Sequence, residues 1–428
     1  MSRSMFQQTK LDNGLRIITS SMPHTRSVTL GFMVGGGSRY ESDEEAGAFH
    51  FIEHLCFKGT PNRPTPREIS ETIEGVGGVM NASTDREITT YWCKVARPHF
   101  DIALDLLVDM VCNPLFDVNE LEKERSVILE ELAMSNDHPD ARAGLLIDET
   151  MWPNQALGRD VGGSHESVSK LNRDAMMRFV THQYVPSNAV VSVAGNVTHE
   201  EVVESFHRYL GNWTTGTPLD WYPAINDQTA PRVRTEYRKS EQAHICLGLQ
   251  GLSIDDPNRY SSDMLSTILG EGMSSRLFLE LREERGLVYE ANSGNSHYRD
   301  TGSFEIYAAV DPKNATIAIE TIMVELEKLK SGIPESELTK SKEFAKGRLL
   351  LRMEDTRSVA LWLGSQALMR KEMLTVDEVV ERIDSITTDD LHQMAKELIV
   401  PEHMNMAVVG PFRSPAKFER LLGAPTAI

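Results

Sequence analysis

The 428-residue sequence predicts an α+β fold of two homologous domains, each made of helices packed on a largely antiparallel sheet. Three observations carry the prediction. One stretch recurs at a fixed spacing, each copy mixes helix-like and strand-like blocks, and a loop-forming segment lies between the copies. The stretch ESVSKLNRDAMMRFVTHQYVPSNAVVSVAG begins at Glu166, and ERIDSITTDDLHQMAKELIVPEHMNMAVVG begins at Glu381, displaced by 215 residues without a gap. The shared marks are Glu166/Glu381, Val168/Ile383, Leu171/Ile386, Asp174/Asp389, Val185/Val400, Pro186/Pro401 and Gly195/Gly410. Each copy reads as a loop, a helix of about four turns, a proline-marked break and a buried strand ending in glycine. Fainter echoes pair VTLGFMV with ICLGLQG as strands and FDIALDLLVDMV with ATIAIETIMVEL as helices. The segment WTTGTPLDWYPAINDQTAPR is rich in Pro, Gly and Thr and reads as the linker. The expected domains are therefore 1–215 and 232–428, joined by 216–231.

Composition narrows the function classes. Hydrophobic residues make up 40% and charged residues 25%, the ordinary balance of a globular chain. A formal net charge of −19 argues against a nucleic-acid partner, which calls for a basic stripe, and suits a neutral or basic one. The four cysteines (Cys56, Cys93, Cys112, Cys246) show no C-x-x-C spacing and read as buried free thiols of a reducing compartment. No run approaches the length of a membrane span, and the start MSRSMFQQTKLDNGLRI carries no apolar signal segment. The expected placement is cytoplasmic, without a membrane partner. The sequons at Asn81, Asn196 and Asn212 are then without consequence.

The chemistry concentrates in AGAFHFIEHLCFKGT, Ala46 to Thr60. On a helix at about 100° per residue, Glu53 falls near −60° and His54 near +40° from His50. Three polar groups thus share one sector of an otherwise apolar helix, which is costly unless something compensates them. Two His four apart with Glu at i+3 is the H-x-x-E-H pattern: both imidazoles can reach one metal while the Glu stays beside its open position. A catalytic zinc needs a third protein ligand. In VNELEKERSVILEELAMSND, residues 118–137, Glu124 and Glu131 both fall within the apolar stripe of a helix. Two carboxylates on a buried face demand a cation. Glu131 is the expected third ligand, and Glu124 the acid that orients a histidine.

These residues resemble the pitrilysin/insulinase metallopeptidases, the inverzincins. The chain looks most like their short bacterial members, relatives of the mitochondrial processing peptidase. The resemblance places the third zinc ligand at Glu131 and the additional acid at Glu124. GGVMNASTDREITTYW is similar to the family's edge-strand segment, with Asn81 and Ala82 where substrate backbone is held. In LGEGMSSRLFLELREERGLVYEANSG, residues 274–284 read as a helix and LVYEANS as a strand. By resemblance, Arg282 and Tyr289 there stabilise the tetrahedral intermediate.

The second copy lacks the metal residues: the region matching 50–54 reads near SSDMLSTILG, and the counterpart of Glu131 falls near Arg348. The resemblance implies a homodimer in which Arg282 and Tyr289 serve the partner's site. The expectation is an endopeptidase with one Zn2+ per chain, acting on unstructured or extended presequence-like peptides, with Glu53 as general base. The alternative is a non-catalytic structural or partner subunit of the same fold, for which a broken zinc motif would be the mark. A nucleotide-binding reading fails, because VGGGSRY lacks the glycine spacing of a dinucleotide loop and GEGMSSR the lysine of a phosphate loop.

Overall fold

The computed structural model describes residues 5–423, which form two compact units. The first runs through Leu132, resumes over Asp160–Tyr222 and adds Leu349–Val376. Its strands are β1 (Gln7–Lys10), β2 (Arg16–Ser21), β3 (Ser27–Gly35), β4 (Val79–Thr84), β5 (Ile88–Ala96) and β6 (Ala189–Gly195). They form one sheet in the order β1-β2-β6-β3-β5-β4, antiparallel except where β2 runs parallel to β6. The second unit holds β7 (Arg232–Tyr237), β8 (Ala243–Gly251), β9 (Val288–His297), β10 (Gly302–Val310) and β11 (Met404–Gly410). Their order is β7-β11-β8-β10-β9, again with one parallel pair, β7 with β11. Strand for strand, this repeats β2-β6-β3-β5-β4. The fold class is as expected, and the duplication extends through every strand of the first sheet but β1.

The recurring stretch differs in detail from its reading as loop and long helix. Its first part is itself helical, over His165–Lys170 and Val376–Ser385. The main helices are shorter, Arg173–Gln183 and Thr388–Leu398. Capping accounts for the division: Asn172 accepts from the Ala175 N–H, and Thr387 forms a capping box with Asp390, so each helix starts afresh. Both copies then turn at a proline and enter a fully buried strand, β6 or β11.

The units do not follow the contiguous halves 1–215 and 232–428. Residues 133–159 belong to the second unit and 349–376 to the first. The helix Pro139–Met151 packs on the second sheet, where a Cβ on Gly248 would meet Met151 Sδ at 2.4 Å and Ile147 Cγ1 at 3.0 Å. The helix Thr356–Met369 packs on the first, with Gly364 against Met33 and Ser192 and with Thr356 Oγ1 2.9 Å from Thr29 Oγ1. Central strands explain the exchange. All but the first residue of β3 and all of β6 are buried, so both sheet faces need apolar cover. Helices of the same half, such as Ala48–Cys56 and Phe100–Cys112, pack into the core on one face, and the exchanged helix supplies the other. The segment 213–231 has neither helix nor strand, and one of the chain's passages between the units falls within it, after Tyr222. Among the described residues, no helix is long and apolar enough to cross a membrane.

Candidate metal centre

The motif lies on a helix of nine residues, Ala48–Cys56. Phe49, Phe51, Ile52, Leu55 and Cys56 are buried and hold it in the first unit's core, leaving His50, Glu53 and His54 on the remaining sector. The 20-residue helix Val118–Asp137 lies alongside, burying Leu121, Glu124, Ile128 and Leu132. The helices thus bring three groups to one point. His50 Nε2 is 3.9 Å and His54 Nε2 3.6 Å from Glu131 Oε2, and one ligand atom from each residue lies within 4.8 Å of the others.

Glu124 is the buried acid of the pair. Its Oε2 is 3.0 Å from His54 Nδ1, and its Oε1 is 2.7 Å from Lys58 Nζ. With Nδ1 engaged, His54 turns Nε2 toward Glu131. The structure corrects one expectation here. Glu131 is not on a buried face: its side chain is 45% exposed, and Val127 one turn earlier is exposed as well. The packed stripe runs through Glu124 and Ile128, and Glu131 stands at its solvent margin.

Electrostatics suit a metal. Burial, then the neighbouring His54, pushes the His50 imidazole down to about 4, so it is held neutral as a ligand must be. His50 Nδ1 is buried without a hydrogen-bond partner among the described residues, with Gly162 packed close enough that a Cβ there would lie 3.6 Å away. Burial raises the Glu53 carboxyl above its usual range, although the Thr84 hydrogen bond and His54 pull the other way. Thr84 Oγ1 donates to Glu53 Oε2 at 2.6 Å. Tetrahedral zinc at about 2.0–2.1 Å from each ligand places ligand atoms about 3.3–3.4 Å apart. The two His–Glu131 separations of 3.6 and 3.9 Å stand close to that spacing, and all three ligand atoms lie within 4.8 Å of one another, within reach of one ion after small side-chain adjustments. The donor set therefore fits zinc.

Asn81 and Ala82 sit on β4, the last strand of the first sheet, opposite Trp92 and Tyr91 of β5. Asn81 is exposed, and its Oδ1 accepts the Ala82 N–H at 2.8 Å. Arg282 and Tyr289 lie together in the second unit, while the histidines and Glu131 lie in the first. Arg282 Nη1 donates to the Tyr289 carbonyl at 3.2 Å, and its guanidinium lies over the Phe278 and Tyr289 rings. The helix read over 274–284 is narrower and wider-wound, a π-helical segment Phe278–Glu284. Tyr289 is 73% exposed at the start of β9, the edge strand of its sheet.

Two residues at the centre escaped the sequence reading. Lys58 is four positions past His54, so helical spacing could have found it. Thr84 reaches Glu53 from another element, and no local pattern marks it.

Fold and cluster together define a duplicated α+β protein with a two-histidine, one-carboxylate cluster in its first unit that could hold a metal ion. Residues 16–165 match the family described as Insulinase (Peptidase family M16), and 170–344 match the Peptidase M16 inactive domain. An uncharacterized zinc protease of Bacillus subtilis is 34% identical over 411 residues, covering 95% of this chain and 98% of its own. One from Streptomyces coelicolor is 36% identical over 414 residues, covering 95% and 90%. The crystal structure of a protease from Helicobacter pylori superposes with a TM-score of 0.88 at 24% identity, covering 95% of this chain and 99% of that one. The chain belongs to the insulinase family, peptidase family M16.

Proposed function

We propose that this chain is a zinc-dependent endopeptidase acting on unstructured peptides or extended presequence-like segments. The observation that carries the reading is the convergence of His50, His54 and Glu131, with Glu53 on the same helix face. The relatives named zinc proteases support it, and the inactive-domain match over 170–344 agrees with a second half that lacks the metal residues. In this reading His50 Nε2, His54 Nε2 and Glu131 hold one Zn2+ per chain, and Glu124, braced by Lys58, orients His54. When bound, zinc supplies Lewis acidity that brings water toward a pKa of about 7 and polarises a carbonyl. Glu53 takes the proton from the attacking water on its carboxylate and passes it to the leaving amine. Thr84 fixes that carboxylate through Oε2. A substrate adds along the β4 edge as an extra strand, Asn81 and Ala82 holding its backbone; main-chain pairing favours extended chains over particular side chains. The acidic balance of the protein suits basic peptides.

Arg282 and Tyr289 act as donors to the developing oxyanion, contributed to the partner's site of a homodimer. The protein works in the cytoplasm in this reading, in keeping with its scattered free cysteines.

The test combines metal content with cleavage of a quenched-fluorescent basic peptide of about a dozen residues, using Glu53→Gln as the control. Cleavage abolished in Glu53→Gln, with about one zinc per chain retained, supports the peptidase and its base together. Protein purified without chelator that holds no metal refutes the reading and favours a structural subunit.

A further inference from the structure

The glycine-rich stretch that fails as a nucleotide loop has another use. The metal-binding helix begins at Gly47, which has φ 92° and no side chain with which to cap it. A nine-residue helix with unpartnered N–H groups at its start is weakly held by its own bonds. Glu41, fully buried, fills the gap: its Oε2 accepts the Gly47 N–H at 2.8 Å and its Oε1 the Phe49 N–H at 2.7 Å. A carboxylate at a helix N-terminus also complements the helix dipole.

The residues before Glu41 anchor it to the β4–β5 hairpin. Gly36 N donates to the Glu87 carbonyl at 3.1 Å, Ser38 N to Asp85 at 3.3 Å and Arg39 N to Arg86 at 2.9 Å. The glycines permit this approach. A Cβ on Gly37 would lie 2.0 Å from the Asp85 carbonyl, and one on Gly36 2.3 Å from the Phe49 ring. That hairpin carries Thr84, whose hydroxyl holds Glu53. One segment, Gly36–Glu41, therefore links the helix that bears His50, Glu53 and His54 to the strand end that fixes Glu53.

We propose that Glu41 is a positioning residue: it sets the metal-binding helix in register with the β4–β5 hairpin, and so sets both metal affinity and the placement of Glu53. The inference rests on the zinc-peptidase reading and adds a residue that never touches metal or substrate. Glu41→Gln keeps the size but turns an amide donor toward one of the two N–H groups. Thr387→Ala is the control, because Thr387 Oγ1 also accepts a helix N-terminal N–H, from Asp390 at 3.1 Å, on the Thr388–Leu398 helix of the second unit, which bears none of the metal-site residues.

Zinc affinity of the metal-free proteins is read by competition with a chromophoric chelator, at a temperature where circular dichroism shows every variant folded. Glu41→Gln should bind zinc at least about tenfold more weakly, with kcat lowered and KM within about twofold of the parent. Thr387→Ala should lower Tm and leave zinc affinity alone. If Glu41→Gln does not fold, Glu41→Asp, which keeps the charge and loses reach, should show the same direction of change. A zinc affinity unchanged in the folded Glu41 variant, alongside a parent that binds zinc, overturns the positioning role alone. A parent that binds no zinc overturns the peptidase reading beneath it.

Discussion

Replacing Glu124 by alanine removes the acceptor 3.0 Å from His54 Nδ1 and the partner 2.7 Å from Lys58 Nζ. His54 then loses the contact that fixes its ring and keeps Nε2 aimed at Glu131. Loss of such an orienting carboxylate weakens metal binding by about 10–100-fold, or about 1.4–2.8 kcal/mol. The fold should lose less than a buried unpaired charge would suggest, because the Lys58 side chain is 26% exposed and can turn to water. Glu124→Gln retains one acceptor oxygen for His54 and turns its amide toward Lys58, so its loss should be smaller, below about tenfold. Metal-free protein is titrated with zinc against a chromophoric competitor, and folding is followed by circular dichroism. A folded Glu124→Ala protein whose zinc affinity stays within about threefold of the parent would refute the orienting role. Lys58→Met should move affinity in the same direction by a lesser amount, since Lys58 acts through Glu124.

Thr84→Val deletes the 2.6 Å bond to Glu53 without touching a metal ligand, so kcat should fall several-fold at unchanged zinc content; equal kcat would remove Thr84 from the mechanism. Zinc at about 100 times its Kd should stabilise the folded chain by about 2.7 kcal/mol. Calorimetry should therefore show Tm dropping by several degrees on chelation, and the same step should be absent from His54→Ala. Mixing Glu53→Gln chains with Tyr289→Phe chains, each inactive alone, should restore part of the peptide cleavage if sites are shared across a dimer. Mixtures that stay inactive after subunit exchange, verified by light scattering with a tagged chain, would place Tyr289 outside the partner's site.

The metal cluster was legible because its pieces obey helical periodicity: His50, Glu53 and His54 share one face through local geometry alone, and Glu124 stands in a stripe whose other members are apolar. The same rule overreached at Glu131, since periodicity locates a face but not where a neighbouring helix stops covering it. The buried strand ending in glycine was readable in both copies for the same local reason. The domain boundaries were not: the helices Pro139–Met151 and Thr356–Met369 carry apolar faces that suit either sheet, and nothing within them says which sheet they cover.

The sequence by itself determined the duplication, the strand and helix blocks and the shared helix face of His50, Glu53 and His54, all consequences of side-chain spacing along the chain. Tertiary structure alone decided which helix covers each second sheet face, that Thr84 meets Glu53, and that Glu41 caps a helix with no cap of its own. Those outcomes depend on which buried surfaces and unpaired backbone groups meet across long chain separations, and burial selects among partners that local pattern leaves equivalent.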